Sequence, residues 1–246
     1  MMSLTITLRT TGRVLNQIRH DPRTIALILF VPSLLLVLLR YLFDAQPIVF
    51  DQIGLMMLGI FPFVSMFLVT SIAMLRERTS GTLERLLTTP LHKLDLLLGY
   101  GIAFAILAAI QATLATTVAY YLLDLDTTGS LGVVMGIAIA DAVLGTAIGL
   151  FTSAFATSEF QAVQFMPVVV LPQVLVCGLF VARDHMIGWL QGASDVLPMT
   201  YAVDALLEVR SHADPTDQMW RDVAIVVGAT LVALVFGAAT LRRRTP

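Results

Sequence analysis

One lysine and one cysteine occur among the 246 residues, and only 13% of the chain is charged. A soluble domain carries about 25% charged residues. The low charge therefore argues against a water-solvated globule. Cys177 stands alone and cannot close an intrachain disulfide; a small packed apolar side chain is its ordinary role. Lys93 lies between His92 and Leu94, so no Gly-x-x-x-x-Gly-Lys-Ser/Thr loop exists to cradle nucleotide phosphates. No serine occupies a Gly-x-Ser-x-Gly turn, and His20, His92, His185 and His212 are scattered in a way that points to no zinc site. The net charge of −2 excludes a bulk basic field for nucleic acid.

What the chain has instead is apolar length. It is 57% hydrophobic with a mean hydropathy of +0.86. Six apolar runs, near 24–43, 53–75, 95–122, 131–156, 162–182 and 222–241, are long enough to cross about 30 Å of hydrocarbon at 1.5 Å per residue. The expected fold is an all-α integral membrane protein, one transmembrane domain over 1–246. Pro32, Pro62, Pro167 and Pro172 fall inside runs and predict kinks, tolerated where neighbouring helices re-satisfy the freed backbone. Gly136, Ala140, Gly145 and Gly149 recur at four- and five-residue steps and predict close helix packing.

Met1 to Thr24 lacks the compact apolar core of a cleavable signal peptide. Residues 1–23 read as an amphipathic interfacial helix. Leu4, Leu8, Val14, Leu15 and Ile18 form its apolar positions, and Arg9, Arg13 and Arg19 snorkel to headgroups. Arg9, Arg13, Arg19 and Arg23, then Arg76, Arg78, Arg85 and Lys93, then Arg242, Arg243 and Arg244 fall on one side of six spans. The positive-inside rule makes that side the cytoplasm of a plasma-membrane protein, with both termini inside. The segment 183–221 is external. It is too apolar for a free linker, and reads either as a re-entrant helical hairpin or as a surface-lying amphipathic helix.

Between spans two and three, residues 76–91 form a short charged segment. Leu83, Leu86 and Leu87 share one helical face, Glu84 sits in the first turn after Gly81 and Thr82, and Thr89-Pro90 ends the helix after barely two turns. A helix that short is not stable alone and needs a partner groove or the membrane surface. The run Glu77…Gly81-Thr82-Leu83-Glu84…Leu86-Leu87…Thr89-Pro90 resembles the cytoplasmic signature of the ABC type-2 permease family, the membrane subunits of ATP-driven exporters of the daunorubicin-resistance type. Leu197-Pro198-Met199-Thr200-Tyr201-Ala202-Val203-Asp204-Ala205-Leu206 is similar to a second pattern of that family. Arg78-Thr79-Ser80 departs from the family, which often has a further acid there.

The resemblance implies a coupling helix seated on a separate cytoplasmic ATPase, with Leu83, Leu86 and Leu87 buried and Glu77, Glu84 and Arg85 setting orientation. It implies a pair of permease subunits, identical or related, and no enzyme activity in this chain. ATP and Mg would be bound by the partner, and the cargo would be an amphipathic drug, antibiotic or lipid. The implied path runs along spans two and five, where Phe61, Met66, Phe67, Phe165 and Met166 are candidates. Asp141 is the one acid deep in a span. It reads as a substrate or gating contact, or as a structural carboxyl bonded to a neighbour such as Gln111. An ion-coupled transporter using Asp141, or a polytopic membrane enzyme without transport, are the alternatives.

Overall fold

The protein is described by a computed structural model covering residues 4–80 and 93–240. Gly81, Thr82, Leu83, Glu84, Arg85, Leu86, Leu87, Thr89 and Pro90 of the candidate coupling segment lie outside the described residues, as do Arg242 to Arg244. The helices are α1 (Leu4–Arg19), α2 (Pro22–Leu42), α3 (Pro47–Thr79), α4 (Lys93–Leu122), α5 (Leu131–Thr152), α6 (Glu159–Val176), α7 (Gly188–Val196), α8 (Pro198–Ser211) and α9 (Asp217–Thr240), with a 3-10 turn at Arg183–His185. No strand occurs among the described residues. Among the described residues six helices, α2, α3, α4, α5, α6 and α9, are long and apolar enough to cross a membrane. The chain is a multi-pass membrane protein.

Local chemistry sets the breaks. Asp21 caps α2: its Oδ1 accepts from the Thr24 amide at 3.2 Å and its Oδ2 from the Thr24 hydroxyl at 2.6 Å, with Pro22 preset for the first turn. Pro47 opens α3 in the same way. Ser158 caps α6 by accepting from the Gln161 amide at 3.2 Å, and Gln161 Oε1 reaches back to the Thr157 amide at 2.8 Å. Pro32, Pro62, Pro167 and Pro172 all sit inside helices that continue past them.

The helix α3 is the axis of the bundle. Two thirds (67%) of its most apolar window is buried, against 22% for α2, α6 and α9, whose remaining faces are apolar and outward. At 33 residues it is about 50 Å long, well beyond the hydrocarbon thickness, so its ends stand in the interfacial regions. It runs from 47 to 79 rather than over the expected 53–75. Once started by Pro47, the helix tolerates Asp51 and Gln52, and at the other end nothing breaks it before Ser80. The fifth span shows the opposite departure: α6 stops at Val176 rather than near 182, and Gly178 turns the chain with φ +98°.

The closest packing is α5 on α3. A Cβ placed on Gly149 would stand 2.6 Å from the Phe67 carbonyl oxygen, and one on Gly145 would collide with the Phe63 carbonyl oxygen. These two glycines let the helix backbones touch, and in lipid such contact replaces the hydrophobic effect as the cohesive term. Gly136 does not take part; a Cβ there would meet nothing within 4 Å.

The segment 183–221 holds a pair of helices of unequal fate. In α7, Trp189 is 74% exposed. In α8, Met199, Thr200, Ala202, Val203, Ala205 and Leu206 are buried, packed on α3, α5 and α9. Arg183 ties the arrangement together by pairing with both Asp195 of α7 and Asp204 of α8. Burial pushes the Asp204 carboxyl above its ordinary value, and Arg183 pulls it back down. A carboxyl whose folded pKa is raised stabilises the fold most at low pH, and that contribution fades as pH rises through the folded pKa. Arg183→Met is therefore expected to cost about 1–3 kcal/mol at neutral pH, with much of the loss recovered in mild acid as Asp204 protonates. Thermal melts of the detergent-solubilised variant at several pH values check this, and a pH-independent loss would count against it.

Candidate coupling base and substrate path

The α1 helix meets the bundle with a face that its apolar residues do not define. Thr7, Thr10, Thr11 and Val14, spaced at three and four residues, are buried against α4, whereas Leu4 and Leu8 are exposed. The Thr11 hydroxyl donates to the Thr7 carbonyl at 3.0 Å and lies 3.1 Å from the carbonyl of Gly99. Thr7 donates to Asp95 at 3.4 Å. Gly99 is where α1 and α4 come closest, since a Cβ there would stand 2.6 Å from Thr10 Cβ. The expected apolar stripe is thus corrected in part: Val14 is inside and Leu15 and Ile18 are half-buried, while Leu4 and Leu8 are left for the surroundings.

The polar side of this junction reaches the base of α3. Arg13 does not snorkel as expected. Its guanidinium donates to Glu77 Oε1 at 3.3 Å and to the Tyr100 hydroxyl at 2.6 Å, and lies over the Tyr100 ring at 5.6 Å. Gln17, one turn on, donates to the same Glu77 oxygen at 3.5 Å. Glu77 is only 9% exposed. It therefore faces its own chain, three residues before α3 ends at Ser80, and locks α1, α3 and α4 at the point where the chain leaves for residues 81–92. Arg76, on the outer side, is held by Glu159 of α6 at 2.7 and 3.1 Å. Of the candidate coupling residues, Glu77 is the one within the described range, and its partners Arg13, Gln17 and Tyr100 carried no sequence signal beyond the threonine spacing on α1.

The path candidates separate by burial. Met66, Phe67 and Asp141 are fully buried inside the chain, Met66 in the cluster shared with α1 and α4, Phe67 in the cluster shared with α8. Phe61, Phe165 and Met166 are half-buried at the edge of the core, where α3 meets α6. The structure therefore does not gather the six into one lining. Asp141 lies beside α3, with its Oδ2 3.2 Å from where a Cβ on Gly59 would stand. The bond to Gln111 named as one of the two alternatives is not formed: both carboxyl oxygens and both polar atoms of the Gln111 amide are buried without a hydrogen-bond partner. The two groups belong to different helices, Gln111 to α4 and Asp141 to α5.

Residues 7–209 match the ABC-2 type transporter family. The chain belongs to that family. As an ABC-2 permease it is also similar to the "Probable multidrug ABC transporter permease YbhR" of Escherichia coli K12, 25% identical over 183 residues, covering 74% of this chain and 49% of the relative. The "Probable multidrug ABC transporter permease YbhS" of the same organism is 26% identical over 140 residues, 56% of this chain and 37% of the relative. "ABC transporter G family member 20" of Dictyostelium discoideum is 23% identical over 141 residues, 57% of this chain and 19% of that protein. The chain spans about half the length, or less, of the curated relatives it matches.

Proposed function

We propose that this ABC-2 permease is the membrane-spanning subunit of an ATP-driven exporter that moves an amphipathic molecule, a drug, antibiotic or lipid, out across the cytoplasmic membrane. The observation that carries the reading is the family match over residues 7–209, a range that contains the 76–91 segment at the end of the longest, most buried span. ATP and Mg belong to a separate ATPase, because this stretch has no phosphate-cradling loop of its own. Two permease subunits pair above two ATPases. The end of the bundle that carries Arg13, Arg76 and Arg78 faces the cytoplasm, with both ends of this stretch on that side.

In this mechanism the permease changes shape only because a partner binds one of its states better than the other. ATP-driven closure of the ATPases moves residues 81–90. Those residues join α3 directly, and the Glu77 lock makes α1 and the start of α4 move with it. The half-buried Phe61, Phe165 and Met166 edge is then the part of the implied path nearest the surface of this chain, with Met66 and Phe67 behind it.

The test is reconstitution. Inside-out vesicles holding the permease and its co-expressed ATPase are expected to accumulate a fluorescent amphiphile with ATP and Mg, and to lose that uptake without ATP. Uptake driven by a proton gradient with no ATPase present would overturn the reading. The second reading, ion-coupled transport, draws on the buried, unpartnered carboxyl of Asp141. Asp141→Asn separates the two: ATP-driven uptake is expected to persist within about twofold, since a buried acid without partners is close to an amide in its contacts. Loss of all uptake with folding intact would favour ion coupling.

A further inference from the structure

Helix α7 (Gly188–Val196) has three sides of different character. Toward the protein it buries Ser194, with Leu190 half-buried beside it. Trp189, Ala193 and Val196, at i, i+4 and i+7, make an apolar side on which Trp189 and Val196 are exposed. Gln191 and Asp195, four residues apart, make a polar side that is also exposed. A helix with an apolar side left open next to a polar one is built for a boundary between an apolar medium and water.

The depth of α7 follows from the span before it. Glu159, at the start of α6, pairs with Arg76 at the arginine-rich end of the bundle. From there the 18 residues of α6 rise about 27 Å, just short of about 30 Å of hydrocarbon. The chain therefore leaves α6 near the far boundary of the apolar layer, and Phe180, Val181 and Ile187 on the way to α7 are exposed and apolar. They lead on from Leu171 and Leu175, which α6 already turns outward. The other tryptophan, Trp220, is exposed in the first turn of α9, and Tyr41 and Tyr121 are exposed in the last turns of α2 and α4. Both tryptophans and both exposed tyrosines thus stand at the end of the bundle opposite Arg13 and Arg76. An indole or phenol joins an apolar body to a polar tip, the chemistry that favours the boundary between acyl chains and headgroups.

We propose that α7 lies in the lipid leaflet at that end as an interfacial anchor, with Trp189 and Val196 among the upper acyl chains and Gln191 and Asp195 toward water. Phospholipid rather than a second copy of the chain covers this side, because exposed interfacial aromatics recur on α2, α4 and α9 instead of being confined to one patch. Arg183, paired with Asp195 of α7 and Asp204 of α8, ties the anchor to the helix packed on α3, α5 and α9. The anchor gives α8 a fixed reference in the membrane plane, whatever the cargo.

The experiment uses the full chain in phosphatidylcholine nanodiscs. Trp220→Phe leaves Trp189 as the one tryptophan. Its emission is expected to be blue-shifted and protected from acrylamide. Lipid brominated near the headgroup end of the acyl chain is expected to quench it at least about twofold more than lipid brominated near the tail. Val196→Cys carrying a nitroxide, in a chain whose own Cys177 is buried, stands in should Trp220→Phe fail to fold; its label is expected to relax faster with oxygen than with a water-soluble nickel chelate. Water-like emission freely quenched by acrylamide would overturn the inference. So would equal or stronger quenching from the tail, which puts the helix deep in the bilayer. Blue-shifted emission that neither lipid nor acrylamide quenches would also overturn it and would place a second copy of the chain over Trp189.

Discussion

Replacing Leu83, Leu86 and Leu87 together by aspartate is expected to strip the ATPase from the permease and abolish ATP-driven uptake. By sequence spacing alone the three leucines fall at i, i+3 and i+4, and a helix there is expected to end at Thr89-Pro90 after barely two turns. So short a helix has no stability of its own and depends on what covers its apolar face. Burial of a leucine contributes about 1.5–3 kcal/mol, and three carboxylates in its place must either be desolvated or leave the groove. Loss of half the apolar contribution of three leucines, about 2–4.5 kcal/mol, corresponds to a factor of roughly 40 to 1,600 in affinity at about 1.4 kcal/mol per tenfold. The readouts are co-purification of the co-expressed ATPase and flux in vesicles, with gel filtration of the variant permease as the control for folding. Retention of the ATPase together with undiminished flux would remove the coupling role from this segment. Labelling of a cysteine placed at Thr82 from the outside medium alone would do the same.

Gly149→Leu is expected to prevent α5 from seating on α3 and to leave the purified protein aggregated or melting far below the parent. The added Cβ would stand 2.6 Å from the Phe67 carbonyl oxygen and collide with the Thr70 hydroxyl. That hydroxyl is itself fixed, donating to the Met66 carbonyl at 2.7 Å. A backbone carbonyl cannot swing aside as a side chain would, so the two helices must part along a line that includes the Gly145 contact. Overpacking of a core costs about 1–3 kcal/mol when side chains can adjust, and this site offers less adjustment than that. Gly136→Leu on the same helix is the matched control, because nothing lies within 4 Å of a Cβ there. Gel filtration and thermal melts in detergent are expected to separate the two variants clearly. If they melt together, the glycine contact is not what holds α5 to α3.

That pair of glycines also marks how far a linear reading reaches. The four- and five-residue recurrence of Gly136, Ala140, Gly145 and Gly149 announced a close-packed face, but the spacing has no term for which neighbour approaches or how far the contact extends. Only the crossing of α5 and α3 restricts the contact to Gly145 and Gly149. In α1, Thr7, Thr10 and Thr11 were the buried stripe, and the leucines drew attention away from it. Threonine packs inward there because each hydroxyl finds an acceptor, Thr10 on the Ile6 carbonyl, Thr11 on that of Thr7, Thr7 on Asp95. Arg13 looked like a headgroup anchor for the same reason: a long cation at an interface is ambiguous until its partner, Glu77, is brought beside it from 64 residues away.

The amino-acid sequence alone determined that this chain crosses a membrane on six helices, because each crossing demands a continuous apolar run and leaves the backbone no alternative to helix. It also carried the family likeness, since the short segment after the second span is a pattern of adjacent residues. Tertiary structure decided everything that depends on residues far apart in the chain. It turned Glu77 inward onto Arg13, buried Met66, Phe67 and Asp141 away from any outer surface, and set α8 among α3, α5 and α9. Hydropathy is a one-residue property and periodicity a single-helix property, whereas partners, burial and cavities belong to how helices meet.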